Sequence, residues 1–174
     1  MTGTIEAKLH SLGLTLPDAP APAANYVPYV QVGDLLFVSG QISQGPDGLI
    51  TGKLGDDLSV ADGVEAAGRC GLSLLAQARA ACGGDLDRIV RVVKLTGFVN
   101  STPDFTDQPE VINGCSNLMV EVLGDAGRHA RAAVSAPRCP AAWPSKSKRS
   151  SRSADARAPA PGLPAPAHRP PRPA

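Results

Sequence analysis

The spacing of apolar residues changes character several times along the chain. Ile5, Leu9 and Leu12 stand at helical spacing behind Thr4, a residue able to cap, with Gly13 as a stop. LPDAPAPAA, residues 16–24, reads as an extended Pro/Ala linker. The runs YVPYVQVG and DLLFVSGQI follow, parted by Gly33-Asp34, and predict a hairpin. A turn at Gly45-Pro46-Asp47-Gly48 leads into a weak strand over Leu49–Leu54. Ser59 with Asp62 forms a capping box that uses Asp in place of Glu. The stripe Val60, Val64, Ala67, Leu74, Leu75 and Ala78 then predicts a long helix, ended by Gly83-Gly84. Its small residues, among them Ala66, Gly68 and Gly71, suit close packing against a sheet.

RIVRVVKLTGFV, residues 88–99, is rich in β-branched residues and predicts a strand. Asp107 can cap a second long helix carrying Val111, Leu118, Met119, Val122 and Leu123, stopped at Gly124. GRHARAAVSA, residues 127–136, predicts a final strand with one arginine among small and β-branched residues. Helices alternating with strands in this order indicate an α+β or α/β sandwich with the helices on one face of a sheet. Such a sheet would close with one more apolar strand after Pro137. The chain offers a Pro/Ala/Arg/Ser-rich segment there instead, whose composition cannot bury enough apolar area to order itself. The expected organisation is one domain over 1–136 and a disordered tail over 137–174.

Composition sharpens that division. Aromatic residues are only 3% of the 174, so Leu, Val, Ile and Ala must supply the core. The formal charge of +1 hides an asymmetry: residues 138–174 hold eight of the 17 Lys+Arg and one of the 16 Asp+Glu. No apolar run approaches the roughly 18 residues of a membrane span. The N-terminus lacks a basic segment followed by an apolar one, so a cytoplasmic location is expected. Cys70, Cys82, Cys115 and Cys139 show no zinc spacing and read as reduced thiols. The tail run KSKRSSRSADAR could bind phosphates non-specifically. Only Trp143 interleaves an aromatic ring with its charges and no histidine pair is set for RNA cleavage, so a nucleic-acid partner is not expected.

Three pieces, PYVQVGDLLFVSGQI (28–42), VVKLTGFVNSTPDF (92–105) and GRHARAAV (127–134), together resemble the RidA/YjgF family over roughly residues 4 to 136. The resemblance implies an α+β, chorismate-mutase-like fold, a mixed sheet backed by two helices, assembled as a homotrimer with clefts between subunits. It implies hydrolysis of reactive 2-imino and enamine acids to 2-keto acids and ammonia, with no metal or cofactor. The family's substrate-binding arginine falls on Arg131, suited to grip a carboxylate bidentately. Its pocket tyrosine and serine fall on Tyr29 and Ser39. Read without the resemblance, Arg131 is a solvated arginine on an edge strand, Tyr29 fills a core edge and Ser39 caps a turn. His129 shares a strand face with Arg131 but matches no catalytic group of the family. The frequent cysteine two residues past the arginine is Ala133 here, and the asparagine of the preceding loop is Pro103.

The family also places a catalytic glutamate about fifteen residues past the arginine, in a closing strand of the type VEVEAIFEI. That position is Lys146, and a charged lysine cannot accept a proton from water. WPSKSKRSSRS can be encoded so that the frame one base earlier reads VAVEVEAIFEI, glutamate included. The expectation is a frameshift near codons 137–139, a final strand missing from this chain, and an impaired enzyme. A non-catalytic trimer binding keto-acid-like ligands or a partner is the alternative.

Overall fold

The computed structural model describes residues 3–19 and 25–136. Within them lie three helices, α1 (Thr4–Ser11), α2 (Val60–Ala81) and α3 (Gln108–Leu123). Six strands accompany them: β1 (Tyr29–Val32), β2 (Leu35–Val38), β3 (Gln44–Gly45), β4 (Gly48–Leu49), β5 (Lys94–Val99) and β6 (Ala130–Ser135). The fold is α+β, as expected. The described strands stand as three pairs: β1–β2 and β3–β4 antiparallel, β5–β6 parallel. The strand expected to close the sheet, Lys146 and Cys139 lie outside the described residues.

Local chemistry explains most of these elements. Val32 pairs with Leu35 across a two-residue turn, and Gly33 takes the φ of +57° that such a turn favours. Ser59 Oγ accepts the Asp62 N–H at 3.2 Å while Asp62 Oδ2 accepts the Ser59 N–H at 3.0 Å, a reciprocal capping box at the start of α2. Gly83 and Gly84 end α2 with positive φ, and Gly124 does the same for α3.

Other expectations need correction. Thr4 is not the cap of α1; Gly3 occupies that position, and the Asp87 carboxylate accepts the amides of Thr4 at 2.6 Å and Ile5 at 2.9 Å. Asp107 begins α3 without a side-chain cap bond. The strand expected over 88–99 starts only at Lys94, because Leu86–Arg88 form a 3-10 turn and the Val92 amide bonds the Ala126 carbonyl. The strand expected over Leu49–Leu54 shrinks to Gly48–Leu49, and Leu54 instead bridges to Ser101. The run 127–136 enters its strand only at Ala130, after a 3-10 turn over Gly124–Gly127.

The core lies between α2 and α3. Leu75, Val111, Cys115, Leu118, Met119 and Val122 are buried there, with Leu86 fully buried beside them. The two helices come so close that a Cβ on Gly114 would strike the Val64 carbonyl. α3 in turn packs on β5 and β6, and α2 packs on β2. Both helices therefore sit behind the strands. On the β1–β2 pair the other face leaves Val30, Val32, Leu35 and Phe37 exposed; Phe98 and Val134 are exposed on β5–β6.

Candidate functional site

β6 follows α3 after one turn, and its alternation aims His129 and Arg131 at the same side. That side faces α3. Asn113 and Ser116, three residues apart on α3, stand on one stripe of the helix and meet both strand residues. Arg131 Nη1 donates to Asn113 Oδ1 at 2.7 Å and to Ser116 Oγ at 3.1 Å. Ser116 Oγ also lies 3.1 Å from His129 Nε2, and His129 Nδ1 lies 2.6 Å from the Gly127 carbonyl. Arg131 is exposed. Among the described residues it makes no ion pair; its partners are neutral acceptors, so its full charge faces solvent.

Tyr29 and Ser39 stand elsewhere, together at the open end of the β1–β2 hairpin. Tyr29 is half-buried opposite Val38, on the face that packs toward α2. Ser39 donates its hydroxyl to the Val27 carbonyl at 2.7 Å and its amide to the Pro28 carbonyl at 2.9 Å, which closes the open end of the hairpin. Among the described residues no hydrogen bond joins either of them to Arg131. Ala133 lies on the helix side of β6, packed against the core, and Pro103 is exposed in the loop after β5.

Asn113 and Ser116 are functional candidates that sequence reasoning missed. Two polar residues three apart on an amphipathic helix, just before an arginine-bearing strand, were the available signal.

Cys82 and Cys115 are free thiols, and burial pushes the Cys115 thiol up to about 11, which leaves it inert near neutral pH. Glu6, Asp85 and Asp87 bring carboxylate oxygens within 4.8 Å of one another. The two Asp87 oxygens accept the Thr4 and Ile5 amides, Glu6 Oε1 the Leu86 amide and Asp85 Oδ1 the Asp87 amide, so the group ties the start of α1 to the 3-10 turn, while Glu6 Oε2 is buried without a hydrogen-bond partner among the described residues. No helix among the described residues is long and apolar enough to cross a membrane.

Similarity to known proteins now bears on this geometry. Residues 6–143 match the family model described as YjgF/chorismate mutase-like, putative endoribonuclease. The chain belongs to this family. Protein TCP17 of Trypanosoma cruzi is 50% identical over 141 residues, which span 80% of this chain and 88% of the relative. A crystal structure of a protein of unknown function from Agrobacterium tumefaciens shares 50% identity and a TM-score of 0.72, with 78% of this chain and 84% of that one covered. One from Shewanella oneidensis, described as a putative endoribonuclease, shares 36% identity and a TM-score of 0.76 over 80% of this chain and 92% of its own. The RidA/YjgF assignment and the chorismate-mutase-like fold thus agree with the sequence expectation.

Proposed function

We propose that this protein is built for hydrolytic deamination of 2-imino and enamine acids, with Arg131 as the carboxylate anchor. The supporting observation is the exposed guanidinium on β6, held by neutral groups and, among the described residues, left without an acidic partner in a chain of this family. An anionic substrate supplies the missing charge. In the reaction, water adds across the C=N bond, and the C–N bond of the resulting carbinolamine breaks. Ammonia leaves and the carbon keeps the oxygen as a 2-keto acid. A carboxylate must take the proton of the attacking water, and Lys146 stands where the family resemblance expects it.

The chain as written is accordingly an impaired enzyme in this reading, through a frameshift near codons 137–139. The exposed apolar residues Val30, Val32, Leu35, Phe37 and Phe98 support that reading and the expected homotrimer, since both a closing strand and neighbouring subunits would shield apolar strand surface. The expected site is cytoplasmic, without metal or cofactor. Lys146, Ala133 and Pro103 favour one second reading, a trimer that binds keto acids or a partner without turnover.

Resequencing codons 130–155 tests the frameshift directly; an intact frame sinks it and moves the protein to the ligand-binding reading. For activity, the 174-residue chain is compared with one ending in VAVEVEAIFEI, using imino acid generated in situ by an amino-acid oxidase. The restored chain is expected to speed keto-acid release, and Arg131→Ala in it to lose roughly ten- to a hundred-fold in kcat/KM, as for a charge-assisted hydrogen bond. Equal turnover by the two chains removes the impairment, and no turnover by either removes the deaminase reading.

A further inference from the structure

We propose that Asn113 and Ser116 are positioning residues that decide which edge of the Arg131 guanidinium meets the substrate, an inference that rests on the carboxylate-anchor reading above. A guanidinium carries five N–H groups in a fixed plane. The two on Nη1 are taken by Asn113 Oδ1 at 2.7 Å and Ser116 Oγ at 3.1 Å. The end-on fork between Nη1 and Nη2 is thereby closed. Among the described residues nothing accepts from Nε–H or the Nη2–H parallel to it, and that side edge matches the two oxygens of a carboxylate.

His129 determines how Ser116 takes part. The Gly127 carbonyl can only accept, so the His129 nitrogen 2.6 Å from it, Nδ1, carries the proton. Nε2 of the neutral ring is then an acceptor, and the Ser116 hydroxyl 3.1 Å away donates to it. That donation leaves the Ser116 lone pairs for Arg131 Nη1. The polar order runs from Arg131 through Ser116 and His129 to the Gly127 carbonyl, each donor matched to one acceptor. Asn113 and Ser116 belong to α3, whose opposite side is buried against α2, so the clamp is mounted on the packed core of the molecule. The ligand class that fits is a planar carboxylate entering side-on, the common feature of 2-imino and 2-keto acids.

The test uses the full 174-residue chain with pyruvate as the probe, titrated into wild type, Arg131→Ala, the double variant Asn113→Ala/Ser116→Ala, and Ser116→Thr. The arginine side-chain nitrogens are followed by nitrogen-15 NMR in parallel. The double variant is expected to bind pyruvate roughly tenfold more weakly, Ser116→Thr to bind as wild type, and Arg131→Ala to lose binding. Distinct Arg131 Nη1 and Nη2 signals in the wild type, averaged by free rotation in the double variant, are the expected signature of the clamp. A double variant that binds as tightly as wild type while Arg131→Ala does not overturns the clamp and leaves the anchor standing. Where wild type binds no pyruvate, or Arg131→Ala binds it unchanged, the anchor reading falls; the clamp is then decided by the guanidinium signals alone, supported if distinct and overturned if averaged.

Discussion

On the side of the strand pairs turned to the helices, Leu36, Val38 and Leu95 are half-buried and Val99 is buried, whereas on the other side Val30, Val32, Leu35, Phe37 and Phe98 stand exposed. The residue types are alike; only the cover differs. A sheet with one solvated face normally alternates apolar with polar positions. In VPYVQVGDLLFV the alternation is largely missing, and the structure shows the result as an apolar face left exposed, with no layer over it among the described residues. The contrast separates the energy of the single chain, which lies on the helix side, from whatever the open side contributes through contacts the chain cannot make alone.

Two substitutions on the helix side should cost the most. Leu75, 2% exposed between α2 and α3, is expected to cost about 2–5 kcal/mol when changed to alanine, through lost burial and the cavity left behind. Denaturant unfolding reads this as a lower midpoint, and a change well under 1 kcal/mol would deny the α2–α3 seam its central place. Gly114→Ala adds one methyl group where the Val64 carbonyl already stands. Because the obstacle is backbone, the helices must part, at about 1–3 kcal/mol. The same unfolding assay should show the loss despite alanine's better helix propensity; a stabilised variant would mean the helices are not in contact there.

The seam was legible in the sequence because its signals are local: a capping box at Ser59, glycines beyond each helix end, and apolar stripes between. The strands were less so. Residues 88–93 have a strand's composition, but the Val92 amide is spent on Ala126, a partner that composition does not reveal. The anchor of α1 was hidden for the same reason, since Asp87 lies 83 residues from the Thr4 amide it accepts. Of the site, family resemblance singled out Arg131, yet its holders Asn113 and Ser116 could be found only once β6 was seen to run beside α3. Ser39 is not the turn cap that the unaided sequence suggested: its hydrogen bonds reach Val27 and Pro28 across the open end of the hairpin, a pairing between residues twelve and eleven apart.

A smaller effect is expected at the start of α2, on the exposed rim of the helix side. The Ser59 hydroxyl, and then its backbone N–H, hold the Asp62 carboxyl below its usual value of 3.8. A carboxyl depressed in the folded state adds stability that is complete above the unfolded value and lost as pH falls through the folded one. Ser59→Ala should cost about 1 kcal/mol near neutral pH through the lost cap. Its stability should also fall less steeply than that of wild type below pH 3.8, because the side-chain part of the depression is gone. Parallel acid-unfolding curves for the two proteins would refute the coupling.

The smallest effect on the single chain, and the sharpest contrast with Leu75, belongs to Phe37→Ser. Phe37 is 57% exposed on the open face beside Val30, its cross-strand partner, so little apolar area is lost to water when the ring is removed. Unfolding of the isolated chain should move by no more than about 0.5 kcal/mol, the usual range for surface positions. Assembly should respond differently. In sedimentation velocity, an open face used between copies would give wild type a species heavier than 17.8 kDa that the serine variant loses. A variant that sediments as wild type would assign the open face to something other than a second copy. One that unfolds like Leu75→Ala would show that the face is already covered within a single chain, and the division between the two sides would fail.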